Sequence, residues 1–314
     1  LPPLKRFVHE NKRRIAENTR SDTAGLATGM LFGDASELGN GYDDVAAAGL
    51  IHILCVSGLH VGFLAGAVFA LLKKLKVKGV IRLVIAVGIA LLYSILCDFR
   101  PPSVRAVIML AVLLSAGAFG FKYDAPSALA FAAILILIFD PPALFGISFL
   151  LSFGALAGLV LLYKPFFRVF RRLGKFIGGT LAASLATNVV LFPLIAVFFG
   201  KIQTLFWLSN LLILPIISFI FIIMFIIMLI VSIFPSFTFL YALFDFVLIP
   251  FKTVVSFTSS WRYSEIRVAS MGIMSVVYYF AALACSQFLF ATRKQKTAAV
   301  SVVTSACLII SAVI

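Results

Sequence analysis

The sequence predicts an all-α polytopic membrane protein of about ten transmembrane helices, some broken, behind an N-terminal amphipathic helix. Three observations predict it. The 314 residues are 62% hydrophobic and only 12% charged, against about 25% charged in an ordinary soluble domain. Runs such as SFIFIIMFIIMLIVSI (218–233) hold no charge, and about 20 apolar residues cross a hydrocarbon core of roughly 30 Å. Those runs are continuous, where a β-barrel would alternate polar and apolar positions.

Residues 1–44 stand apart from the rest and are expected to form an interfacial helix and linker, with a transmembrane domain over 45–314. In LKRFVHENKRRIAENTR (4–20), Lys5, Arg6, Lys12, Arg13 and Arg14 alternate with Leu4, Phe7, Val8 and Ile15. That pattern suits a helix lying on the membrane surface and equally a solvated linker helix. GLATGMLFG then spaces Gly25, Gly29 and Gly33 four apart, a face for close helix packing. SELGNGYDD (36–44) is a polar turn. The chain starts at Leu1 and has no visible signal peptide, so it reads as a piece of a longer protein.

Ten segments follow, near 45–72, 80–97, 103–119, 125–139, 144–163, 179–199, 204–232, 237–257, 269–291 and 297–314. The first is too long. As one helix it would measure about 42 Å at 1.5 Å per residue, so it must tilt or break. Ser57 is a good N-cap and Gly58 weakens a helix, which places the break at Ser57–Gly58. His60 lies roughly 18 Å from the inner end, near the midplane. A half-helix starting there would offer its N–H groups and positive end to an anion. The plainer reading is packing through Gly58, Gly62 and Gly66. His52 and His60 make a poor metal pair, eight residues apart with no third ligand near.

The next segments carry their own anomalies. In CDFRPPSVRAVIML (97–110), Asp98, Arg100 and Arg105 flank a Pro-Pro. This is either a rigid hairpin with snorkelling arginines or a basic mouth for phosphates. Arg105 opposes the dipole of its own helix and needs a partner, Asp98 or a ligand anion. SFLLSFGALAGL (148–159) is rich in small residues and should lie against another helix. TNVVLFP (187–193) and SNLLILP (209–215) repeat one pattern, placing Asn188 and Asn210 five residues before a proline. Each asparagine could satisfy a carbonyl that a proline frees, or line a wet path. In FDFVLIPFK (244–252), Asp245 and Lys252 share a face and could pair directly or through an intermediate group.

The formal charge of +14 is largely a loop bias. One alternating set of loops (73–82, 121–124, 163–175, 233–237, 293–296) holds 14 Lys and Arg, and the other set holds 5. The first set is therefore expected in the cytoplasm, with both termini outside. Cys55, Cys97, Cys285 and Cys307 form no CxxC pair. There is no P-loop and no clustered histidine metal motif. No enzyme activity, no catalytic residue, no metal and no cofactor is expected of this chain. A Ser57–His60 hydrolase would lack a third orienting group.

LIHILCVSGLHVGFLAG (50–66) resembles the signature of the ComEC competence-protein family. The resemblance continues through RPPSVRAVIML, DPPALFGISFLLSFGALAGLVLL, TNVVLFP and LSNLLILP, with GLATGMLFGDASEL upstream, and covers roughly residues 25–215. It implies a channel in the bacterial cytoplasmic (inner) membrane that imports single-stranded DNA during natural transformation. The partners implied are membrane lipid, OB-like and nuclease domains of a full-length protein, a DNA receptor, and cytoplasmic DNA-translocating or single-strand-binding proteins. The motif positions here are His52, Ser57, Gly58, His60, Arg100, Arg105, Asn188 and Asn210, and Asp245 joins them as a path candidate. A secondary transporter for a small anion is the alternative.

Overall fold

The computed structural model describes residues 3–39, 41–54, 56, 58–118, 120, 124–262, 264–267 and 279. The ninth and tenth expected segments, all but Tyr279, lie outside the described residues, as does Ser57. The described chain is almost wholly helical, with one short two-stranded ribbon. Two compact units divide it: residues 1–140 with 212–260, and residues 141–211 with 261–314.

The first unit opens with α1 (Pro3–Asn18) and α2 (Ser21–Phe32). α1 is helical as its pattern predicts, and its buried side, with Asn11 and Ile15, faces protein. Asn11 accepts hydrogen bonds from the Tyr241 hydroxyl at 2.5 Å and the Ser232 hydroxyl at 3.1 Å. Every residue of α2 from Thr23 to Phe32 is buried, because its small side chains let neighbours approach the backbone. A Cβ on Gly25 would lie 2.7 Å from Leu38 Cα, and one on Gly29 would meet Leu54 at 3.4 Å. Gly33, at φ +73°, ends the helix in a left-handed cap that only glycine adopts without cost.

Of the two outcomes that its length allowed, tilt or break, the long first segment is broken. α3 (Gly41–Ala47), α4 (Ile51–Leu54) and α5 (Gly58–Lys74) replace one continuous helix. α6 (Gly79–Leu96), α7 (Pro101–Ala118) and α8 (Ala125–Phe139) follow. Asp124 caps α8 by accepting from the Ser127 N–H at 3.0 Å. The expectation that Gly58, Gly62 and Gly66 form a packed face fails for the last two. Both are exposed, and an added Cβ would meet nothing within 4 Å.

In the second unit α9 (Ile147–Phe170) and α10 (Lys175–Phe199) form a tight hairpin. A Cβ on Gly158 would sit 2.4 Å from the Ala186 carbonyl, so glycine sets the interhelical distance, as the small-residue run predicts. α9 continues past the expected end, through Pro165 to Phe170. Strand β1 (Lys201–Gln203) pairs antiparallel with β2 (Glu265–Arg267), joined by a Lys201–Glu265 ion pair of 2.7 Å. α11 (Phe206–Ile233) starts in this unit and continues into the first.

The expected 237–257 helix is instead a 3-10 run Pro235–Ala242, α12 (Leu243–Val247) and α13 (Ile249–Ser259). Pro250, inside the expected span, lacks the N–H that a continuous helix needs there. Among the described residues, five helical stretches are long and apolar enough to cross a membrane: Gly79–Leu96, Ile147–Leu173, Lys175–Phe199, Phe206–Ile233 and Pro235–Ser259.

Candidate functional site

The break between α4 and α5 gathers most of the motif residues. α5 begins at Gly58 and presents the free N–H groups and positive end of a 17-residue helix. Gly58 is exposed, and its Cα faces α7: an added Cβ would meet Ala106 Cβ at 3.4 Å. Arg105, the preceding residue of α7, is 3% exposed. His60 is fully buried, with its ring 4.8 Å from the Phe221 ring of α11. His52, on α4, is exposed.

Gly33 supplies the third side of this junction. A Cβ there would lie 3.2 Å from Arg100 Cδ and Nε and 3.2 Å from Val56 Cγ2. The cap of α2, the α4–α5 break and the start of α7 therefore meet, and Arg100 lies across the meeting point. The turn that delivers Arg100 is strained, with Asp98 and Phe99 at φ +58° and +49°. Asp98 pairs with Lys5 at 3.8 Å. Behind it, Ser94 and Ser103 share a hydrogen bond of 2.8 Å, and Ser103 donates to the Arg100 carbonyl at 2.8 Å.

α1 is fastened next to this junction. Lys12 donates to Asp34 at 2.6 Å and stands 5.9 Å from the Phe32 ring centre. The Lys12 ammonium, then Ser36, hold the Asp34 carboxyl down to a pKa of about 2.

Asp245 lies elsewhere in the same unit. The Thr23 hydroxyl donates to Asp245 and accepts from Lys252 at 2.6 Å, while Lys252 also reaches Asp22 at 2.7 Å. The Asp245–Lys252 pair thus works through an intermediate group, Thr23, which sequence reasoning did not single out. Its only signal was a hydroxyl beside Asp22 in a helix of small residues.

Asn188 and Asn210 belong to the second unit, and Asn188 does not serve the carbonyl that a proline frees. Asn188 donates back to the Ser184 carbonyl at 2.9 Å. The carbonyl that Pro193 frees is that of Val189, and the Tyr279 hydroxyl takes it at 2.6 Å. Asn210 is 8% exposed, and its Oδ1 has no partner among the described residues. Asn188 lines a cleft with Phe192, Ile195, Ile202, Gln203 and Phe206.

The long apolar helices among the described residues are those of a helical, multi-pass membrane protein. The family model for competence proteins matches residues 30–293, and the chain belongs to that family. Relatives include ComE operon protein 3 of Bacillus subtilis, 28% identical over 174 residues, which are 54% of this chain and 22% of that protein. Competence protein ComA of Neisseria gonorrhoeae is 34% identical over 167 residues, 48% of this chain and 24% of that protein. Recombination protein 2 of Haemophilus influenzae is 28% identical over 148 residues, 45% and 19% respectively. The matched stretch is thus about a quarter or less of each relative's length. No solved structure matches. The family supports a part in DNA uptake during competence and does not favour the anion-transporter alternative.

Proposed function

We propose that this chain forms the membrane channel through which single-stranded DNA enters a bacterial cell during natural transformation, and that it acts as a conduit rather than an enzyme. The observation that carries the reading is the junction of Gly33, Gly58, Arg100 and the Arg105 turn around the α5 N-terminus. Exposed Arg100 forms the outer mouth with Arg105 buried behind it, and phosphates pass the α5 N-terminus at Ser57–His60, with His52 beside them. Helix N-terminal N–H groups and a few arginines attract a phosphate without trapping it, which transport requires. Asn188 and Asn210 are the second unit's contribution. Asp245 keeps one oxygen on Thr23 and has only the other to offer.

The strand leaves beside the basic loop at 163–175, so both ends of this chain face away from the cytoplasm of a cell whose inner membrane it spans. OB-like and nuclease domains of a longer protein, a surface DNA receptor and cytoplasmic translocating or single-strand-binding proteins complete the machinery.

The test is uptake of labelled DNA by cells carrying the full-length protein. Arg105→Gln and the double variant Ser57→Ala with His60→Ala are expected to lower uptake at least tenfold at unchanged membrane abundance. Wild-type uptake in both would overturn the assignment of this junction. Normal transformation after deletion of the whole region would overturn the channel.

A further inference from the structure

The turn that joins α9 to α10 concentrates charge that the second unit does not neutralise. Arg168 stands in the last turn of α9, and Arg171 and Arg172 in the 3-10 turn Arg171–Leu173 that follows. All three are exposed. Spaced i, i+3 and i+4, they are neighbours on one face, with Cβ atoms about 5–6 Å apart. Residues 141–211 and 261–314 hold a single acidic side chain, Glu265, and it is engaged by Lys201 at 2.7 Å. The three guanidiniums therefore call for an anion from outside this unit.

Depth and surroundings decide which anion. α9 is 24 residues long, about 36 Å at 1.5 Å per residue. Measured from Ile147, it has crossed a hydrocarbon core of roughly 30 Å by about residue 167. Arg168 and the turn after it thus fall at the level of the lipid headgroups. Apolar side chains are interleaved with the arginines, and Val169, Leu173 and Phe176 are each more than half exposed. Cations with apolar chains between them fit a phospholipid surface, where the chains enter the acyl boundary and the cations meet phosphate. A strand of DNA in water would leave those apolar chains uncovered.

The first unit offers a contrast. The turn after α5 is as basic, but it carries Lys73, Lys74, Lys76 and Lys78, and its Arg82 lies over the Phe69 ring at 5.1 Å from the centre. Lysine meets phosphate as a point charge, whereas a guanidinium grips two oxygens at once. Loop charge is common to both turns, and the exposed arginine triplet belongs to one. We infer that Arg168, Arg171 and Arg172 form a binding site for the phosphate of an anionic phospholipid. The lipid supplies the negative charge that the second unit lacks and fixes the depth of the α9–α10 hairpin. The site goes beyond the channel reading and stands or falls independently of it.

The experiment places the full-length protein in nanodiscs of phosphatidylcholine and phosphatidylglycerol in equal amounts. The protein is then extracted into detergent, and the lipids it retains are counted by mass spectrometry. The wild type is expected to retain phosphatidylglycerol over phosphatidylcholine by about fivefold or more. The triple variant Arg168→Lys, Arg171→Lys, Arg172→Lys keeps the charge and is expected to lose at least about half of that preference. Lys73→Gln with Lys74→Gln and Lys76→Gln, in the first unit, is expected to leave it unchanged. No preference in the wild type overturns the site, as does an undiminished preference in the arginine variant. An equal fall in the lysine variant would reduce the effect to loop charge and also overturn it. Displacement of the retained phosphatidylglycerol by a single-stranded oligonucleotide would assign the arginines to the strand and overturn the lipid site.

Discussion

Single side chains carry two couplings that link distant parts of the chain. Thr23 is fully buried and sits between Asp245 and Lys252. Thr23→Val keeps the shape and removes the hydroxyl, leaving a carboxylate and an ammonium short of a partner. The expected loss is about 1–3 kcal/mol, read as a lowered melting temperature in detergent, while Thr23→Ser should retain most of the stability. The second coupling is Lys12–Asp34. The folded Asp34 titrates near 2, below the ordinary aspartate value of about 3.9. Its contribution is therefore complete above about pH 4 and lost as the pH falls towards 2. Partial exposure limits it to about 1 kcal/mol, and a double-mutant cycle of Lys12→Met with Asp34→Asn at pH 7 should return that coupling. The sequence put Asp245 and Lys252 on one face but could not supply Thr23, because the bond joins residues 222 apart. Tyr279 escaped for the same reason, lying 90 residues from the carbonyl it serves.

Helices were legible where local chemistry decides them. The 125–139 segment appears with those bounds because Asp124 caps it and Asp140 follows it. The helix start at Gly58 followed from the segment's excess length together with the Ser57–Gly58 pair. The expected helix at 237–257 was not legible as three pieces, since apolar content hides Pro250. Glycines separate by what faces them, which no sequence reveals. Gly158→Ala would drive a methyl into the Ala186 carbonyl. The α9–α10 hairpin must open, at an expected cost of about 1–3 kcal/mol. Gly62→Ala meets open space and should be neutral or stabilising by up to about 1 kcal/mol, the gain in helix propensity. Parallel melting curves of the two variants check this contrast, and equal losses would mean that both faces are packed.

At the scale of the whole molecule, charge and length give a topology. α10 spans 25 residues, about 37 Å at 1.5 Å per residue, enough to cross the bilayer. Its ends carry the basic loop around Arg171 and the ribbon at Lys201. Single cysteines introduced at Arg171 and at Lys201 are therefore expected to label from opposite sides, with Arg171 inside, in intact cells treated with an impermeant thiol reagent. The side assignment is the expectation from loop charges, and this labelling tests it. Which residues lie beside the α5 N-terminus was not readable, because that depends on α2 and α7 meeting the break. The most direct measurement is import of fluorescent DNA into proteoliposomes holding the full-length protein, scored as nuclease-protected signal. The expected result is protection of single strands well above protein-free liposomes, reduced at least tenfold by Arg105→Gln. No protected single strand above the protein-free level would contradict the account.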